Sequence, residues 1–289
     1  MLFRSELLAL VDAERDWSSA LPRVCAPLEA LPVRASTATI APGTGDNMAA
    51  ALGLGLRPGS TAVSIGTSGT VFTVSPTPTF DASGAVAGFA DATGAFLPLV
   101  CTLNATKVTD AVRGWIGASH DEFDALALQH DGLDDAVVCV PWFDGERTPD
   151  RPDATGAFVG LRPTTTRAQL ARAAVSGVVC GLLDGLDALD AAGADTGHEL
   201  LLVGGGARSA AYRQLLADLA RRPVRISAAD ELVALGACVQ AASVLHGRHA
   251  TEVRDAWSLG ADVVVEPRAN SSELAAAVRA RHAAAVATA

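Results

Sequence analysis

The chain reads as an α/β domain with sheet and helices interleaved, and three observations predict it. Gly and Pro punctuation divides the sequence into alternating strand-like and helix-like stretches. Two β-branched runs, Thr61–Ile65 and Thr70–Val74, flank GTSG at Gly66–Gly69, the spacing of a tight hairpin. A strand (Glu199–Val203), a glycine loop (GGGARS, Gly204–Ser209) and an amphipathic helix (Ala210–Ala220) follow one another without a gap.

Residues 1–41 hold one short helix, Glu6–Val11, three prolines and no convincing sheet, too little for a core of their own. Asp46–Leu54 reads as a helix, with Asp46 at the N-cap and an Ala-rich run behind it. The hairpin follows, then a helix over Leu103–Ile116 and a strand over Ala136–Val140 that ends at Pro141. The turn-rich DGERTPDRPDATG, Asp144–Gly156, is a loop. Thr166 with Gln169 forms a capping box at the head of a long helix reaching about Ala192. Its small residues Ala174, Gly177, Gly181 and Gly185 fall three or four apart, a face able to approach another backbone closely. After the strand–glycine–helix unit come a short strand at Val224–Ile226, a helix over Glu231–Leu245 containing Gly236, and an Ala-rich terminal helix over Ser272–Ala287.

Composition narrows the function. With 289 residues, 49% hydrophobic and 19% charged, the chain is globular, long enough for one large domain or two small ones, and neither disordered nor collagen-like. A net charge of -10, a pI near 5.0 and only 4% aromatics leave neither the basic surface nor the stacking rings of a nucleic-acid binder. No apolar run approaches the ~18 residues of a membrane span; the longest, Val175–Leu183, is interrupted by Ser176 and stops at Asp184. The N-terminal MLFRSELLALVDAERD carries acids where a secretory signal is apolar, so a cytoplasmic location is expected. The five cysteines (Cys25, Cys101, Cys139, Cys180, Cys238) are far apart and suggest neither a disulfide framework nor a zinc site; they read as buried small hydrophobes.

Three glycine turns are candidates for chemistry: GTGDN (Gly43–Asn47), GTSG and GGGARS. Bare amides in such turns make an anion nest suited to phosphate; one such turn alone is more often plain chain reversal, and three of them shift the reading toward phosphate binding. No GxxxxGK[ST] is present, and GGGARS lacks the GxGxxG spacing, so neither a P-loop nor a dinucleotide fold is indicated. The one lysine, Lys107, falls on a helix face and is expected in solvent. Asp46 at a helix mouth is placed either to take a proton from a hydroxyl attacking phosphorus or simply to cap the helix. Glu146 and Arg147 either orient a substrate or bridge two lobes, or form a surface ion pair. The six histidines show no HExxH and no pairing with a nucleophile.

In order and wording, GTGDNMAAALG, SIGTSGTVF, PWFDGERTP followed by ATGAFVGLRPTTTRAQLARAAVSG, and LLVGGGARSAAYRQLLADL resemble the FGGY family of carbohydrate kinases, bacterial xylulokinases in particular. The resemblance runs from about Gly43 to Pro267. It implies an actin-like ATPase (ribonuclease H-like) lobe, a mixed sheet with helices on both faces, with residues 42–289 as the C-terminal nucleotide-binding lobe. By the same resemblance Asp46 is the catalytic base and, with Asn47, faces the sugar. Gly66, Thr67 and Ser68 lie against the ATP phosphates, and Gly205, Gly206, Ala207 and Arg208 lie beneath the adenosine and its α-phosphate. Gly156, Phe158, Gly160, Leu161, Gln169 and Leu170 meet the family's second signature, while Ser176 stands where an acidic residue is expected.

The implied reaction is ATP- and Mg²⁺-dependent phosphorylation of a ketopentose, D-xylulose to D-xylulose 5-phosphate. No DxGT-type phosphate hairpin precedes Asp46, and residues 1–41 resemble only a remnant and connector of the N-terminal sugar-binding lobe. The expectation is therefore a nucleotide lobe inactive alone, with an exposed apolar face that favours a homodimer. The alternatives are an actin-like nucleotide-binding or assembly module without catalysis, or a family kinase for glycerol, gluconate or ribulose.

Overall fold

The computed structural model describes residues 5–33, 36–129, 137–227, 229, 231–257, 261–269 and 271–289. The helices are α1 (Ser5–Leu8), α2 (Asp46–Leu54), α3 (Thr106–Trp115), α4 (His120–Leu128), α5 (Arg167–Ala191), α6 (Ala210–Ala220), α7 (Leu232–His246), α8 (Ala250–Ala256) and α9 (Ser271–Val286). The strands are β1 (Leu31–Pro32), β2 (Thr39–Ile40), β3 (Thr61–Ile65), β4 (Gly69–Thr73), β5 (Leu99–Thr102), β6 (Val138–Val140), β7 (Ala157–Val159), β8 (Leu200–Val203), β9 (Val224–Ser227) and β10 (Ala261–Val265).

Six strands form one mixed sheet in the order β10-β9-β8-β3-β4-β5. Strands β3, β8 and β9 are parallel neighbours, while β4, β5 and β10 join antiparallel. The two-residue period sorts side chains between the faces. Val63, Ile65, Val71, Val100, Leu200 and Leu202 enter a core roofed by α3, α4, α5 and α6. Ala62, Phe72, Leu99, Leu201 and Val203 enter a second core under α2, α7 and α8. Both faces are thus covered, which explains why the central strand β8, LLLV, is an unbroken apolar run rather than an alternating one.

The small-residue positions are where backbones meet. A Cβ on Gly53 of α2 would lie 2.2 Å from the Leu232 carbonyl oxygen, and one on Gly236 of α7 would lie 1.8 Å from that of Ala49. These two helices pack backbone to backbone. On α5, Gly177 abuts the Cys139 carbonyl in the same way and Gly185 abuts Val100, but Gly181 faces open space. The Thr166–Gln169 capping box is present, with both reciprocal bonds made.

Asp46 is not the N-cap: Gly45 occupies that position, and Asp46 is the first helical residue. Its charge still complements the helix dipole there. Leu103–Ala105 is not helical: the Leu103 amide donates to Glu146 and the Ala105 amide to the Thr67 carbonyl of the hairpin turn. The strand expected to start at Ala136 begins at Val138, and Ala136 itself lies outside the described residues. The N-terminal segment does contain a minimal β1–β2 ladder. Cys139 and Cys180 are buried, and burial pushes both thiols up to about 12. Cys25 and Cys101 are half-buried and Cys238 is exposed, so they are not all core residues. Lys107 is half-buried on α3. Among the described residues no helix is long and apolar enough to cross a membrane.

Candidate functional site

In an open sheet, the crevice beyond the carboxyl ends of parallel strands is where ligands collect. Strands β3 and β8 run side by side in register Ser64↔Val203, so the Gly66–Ser68 turn and the Gly204 loop leave the sheet at the same edge. The two bends touch. A Cβ on Gly204 would stand 2.6 Å from the Ile65 carbonyl oxygen, and one on Gly206 would stand 2.4 Å from Ile65 Cγ2. Gly204 also has φ 86° and ψ 178°, a conformation reserved for glycine. The loop then closes in one 3₁₀ turn, Gly205–Arg208, before Ser209 caps α6 by accepting from the Tyr212 amide.

Between these bends and the α3–α4 pair lies a cleft of about 630 Å³. Gly66, Thr67, Gly205, Gly206 and Arg208 all line it. Ser68 and Ala207 do not. Ser68 sits in the same turn, its carbonyl accepting from the Gly66 amide, and Ala207 is buried under the loop. The carbonyls of Gly66 and Thr67 accept the amides of Thr106 and Ala105 at 2.9 and 3.1 Å, holding the head of α3 against the turn. Among the described residues the Thr67 and Ser68 amides meet no acceptor. The amides of Gly205 and Gly206 open a helical turn and have no acceptor within it. The turn chemistry therefore supplies donors, as an anion requires.

Two helices complete the wall. α3 contributes Thr106, Thr109, Asp110 and Arg113; α4 contributes His120, Asp121, Phe123 and Asp124. The Asp124 carboxylate accepts from Ser209 Oγ at 2.6 Å and from the Ala210 amide at 2.7 Å, fastening α4 to the glycine loop. Beneath, the Thr109 and Tyr212 hydroxyls share a buried hydrogen bond of 3.1 Å, and burial raises the phenol well above its ordinary range.

Asp46 and Asn47 are not part of this wall. Asp46 is exposed at the start of α2, and its Oδ1 accepts from the Asn47 amide at 2.8 Å and from Asn47 Nδ2 at 3.2 Å. Glu146 is no surface partner of Arg147. It is 3% exposed, and it accepts from the Leu103 amide (2.5 Å), the Arg147 amide (2.8 Å) and Asn104 Nδ2 (2.8 Å).

The model of the FGGY family of carbohydrate kinases, C-terminal domain, matches residues 61–245. A xylulose kinase of Streptomyces coelicolor is 45% identical over 273 residues, which cover 91% of this chain and 54% of that relative. The crystal structure of xylulose kinase from Bifidobacterium adolescentis superposes with a TM-score of 0.83 at 39% identity, covering 99% of this chain and 58% of that one. Ligand-bound xylulose kinase from Lactobacillus acidophilus, at 20% identity, shares the fold with a TM-score of 0.89, covering 99% of this chain and 60% of that one. The fold is that of the actin-like sugar-kinase lobe. The chain spans about half the length of the curated relatives it matches.

Proposed function

The chain belongs to the FGGY family of carbohydrate kinases, and on that premise we propose that it provides the nucleotide-holding lobe of an ATP-dependent kinase converting D-xylulose to D-xylulose 5-phosphate. The observation that carries this reading is the meeting of two glycine bends, from neighbouring parallel strands, on one cleft. Residues 42–289 are the nucleotide lobe in this reading, and 1–41 belong with the sugar-binding part.

The residues divide the work. Amides of Thr67, Ser68, Gly205 and Gly206 donate to the phosphates, and the α3–α4 wall with Arg208 encloses the nucleoside. Asp46 accepts the proton of the sugar hydroxyl as its oxygen bonds to the γ-phosphorus and the bond to ADP breaks. Asn47 Nδ2, donating to Asp46 Oδ1, holds the carboxylate and leaves Oδ2 for that proton. Mg²⁺, when bound, neutralises charge on the phosphates. Among the described residues no three His, Cys, Asp or Glu side chains gather into a metal site. An ion of this kind is held mainly by phosphates, waters and one or two carboxylates, and Asp110 and Asp121 stand on the cleft wall.

Transfer depends on positioning and charge neutralisation from both sides of a closed cleft, so these 289 residues alone bind ATP without turning over sugar. The base is tested in the chain joined to a donor sugar-binding lobe. Asp46→Asn there lowers kcat with D-xylulose by at least the ~10²–10⁴ of general-base catalysis, and undiminished activity refutes the assignment. Comparing D-xylulose with ribulose, gluconate and glycerol in the same protein tests the substrate.

A further inference from the structure

A second cavity, of about 260 Å³, opens beside the end of β5, between α5, α9, the end of β6 and the GERTP loop. It exceeds the ~30 Å³ that one water occupies in the liquid and lies just below the ~300 Å³ at which drug-sized pockets begin. Two atoms on its lining residues are buried and meet no partner among the described residues: Asn104 Oδ1 and His282 Nε2. Their residues are 2% and 3% exposed. A buried polar atom left without a partner is costly, and a cavity lined by residues that carry such atoms is suited to an occupant that pairs with them.

The lining also states the sign of the occupant. Glu146 contributes a buried carboxylate that accepts three N–H groups but meets no cationic side chain among the described residues. Asp184 adds a second carboxylate, shared with Arg279 from outside the cavity. Trp142 adds an indole, the aromatic ring that attracts cations best. Among the described residues no Lys or Arg lines the cavity. An anion is repelled here, and a neutral polyol, although able to donate to Asn104, leaves the Glu146 charge uncompensated.

We propose that this cavity binds a small organic ammonium ion, its N–H groups on Asn104 Oδ1 and the acidic side and its carbon skeleton against Trp142, Pro149 and Val286. The cavity is distinct from the nucleotide cleft and shares no lining residue with it, although its Glu146 also braces the segment that packs on the Gly66–Ser68 turn.

The test uses the full chain and three probes at matched ionic strength: ethanolammonium, xylitol and acetate. Calorimetry is expected to give saturable binding of one ethanolammonium per chain, with a melting temperature that rises with its concentration, and no saturable binding of xylitol or acetate. Gly181, where an added Cβ meets nothing within 4 Å, allows the cavity to be filled from inside α5. Gly181→Leu weakens ethanolammonium binding at least about tenfold, whereas Gly181→Ala, which adds one methyl group, stays within about threefold. Tryptophan fluorescence of the wild-type chain shifts on binding, and that shift is lost in Trp142→Phe. It keeps the idea testable should Gly181→Leu fail to fold. Absence of saturable ethanolammonium binding to the folded wild-type chain, meaning a cavity filled by water only, overturns the proposal. So do xylitol binding as tightly, and undiminished binding by folded Gly181→Leu.

Discussion

Three consecutive glycines in the loop after β8 should respond very differently to one methyl group. At Gly204, alanine must adopt φ 86° and ψ 178°, and its Cβ would meet Ile65 O at 2.6 Å and Ile65 C at 3.0 Å. The backbone conformation costs about 1–3 kcal/mol. Moving the end of β3 costs about as much again, since no rotamer relieves a clash with a carbonyl, for a total of roughly 2–6 kcal/mol. At Gly206 the obstruction is the Ile65 side chain, 2.4 Å away at Cγ2, and a shift in a well-packed core costs about 1–3 kcal/mol. At Gly205 nothing lies within 4 Å, so stability should stay within about 0.5 kcal/mol. Urea denaturation measures all three, provided m is unchanged. Calorimetry with ATP then separates folding from binding. Gly205→Ala, folded but with a methyl at the cleft wall, should lose about tenfold in affinity, or ~1.4 kcal/mol. Equal stability losses at Gly204 and Gly205 would refute this loop geometry, and unchanged ATP affinity in Gly205→Ala would refute the placement of the nucleotide against it.

Two further outcomes follow from single side chains. Asp124→Ala removes acceptors from Ser209 Oγ and the Ala210 amide; at a half-buried cap this should cost about 1–2 kcal/mol of stability and weaken ATP binding, and unaltered affinity would mean the loop holds its shape without α4. Burial lowers the pKa of His282 from 6.5, outweighing the opposing pull of Asp184, with Arg279 nearby also disfavouring the charged form. The unfolded chain therefore binds the extra proton first. The contribution of the neutral ring is complete above about pH 6.5 and is lost as pH falls below it, with a slope of at most ~1.4 kcal/mol per pH unit. Denaturation at pH 7.5 and 5.5 should show a smaller acid loss in His282→Gln than in the wild type, and equal losses in both would remove His282 as the cause.

What the sequence made legible was what local chemistry decides. The β3–β4 hairpin announces itself by β-branched runs around GTSG, and the β8–α6 unit by apolar residues, glycines and a Ser cap in succession. The long helix α5 was readable from its capping box. Elements that depend on distant partners were not. β5 is four residues, LVCT, that become a strand by pairing with β4, and β7 exists by pairing with β6. α4 did leave a signal, Ser119 three residues before Glu122, and its hydroxyl does accept the Glu122 amide. β10 left another in the run Val263–Val265. The glycine bends of the cleft were foreseen and its α3–α4 wall was not, because Asp124 finds Ser209 only 85 residues later in the chain.

The misjudged Glu146 shows why such distant contacts matter to chemistry. GERTP looks like a solvated loop, and an adjacent Glu–Arg pair looks like a surface ion pair of little consequence. Instead the carboxylate is buried and pins the amides of Leu103 and Arg147 together with the Asn104 side chain. With Leu103 and Asn104 fixed, the next two amides, Ala105 and Thr106, fall on the carbonyls of Thr67 and Gly66. A peptide whose carbonyl is engaged on one side has its N–H turned the other way. Consuming the turn's acceptors against α3 is thus what leaves the Thr67 and Ser68 donors unengaged and fixed in direction before any ligand arrives. Preorganised dipoles need no reorganisation when charge develops. The direction of these two donors is therefore set in large part by a carboxylate buried behind the turn.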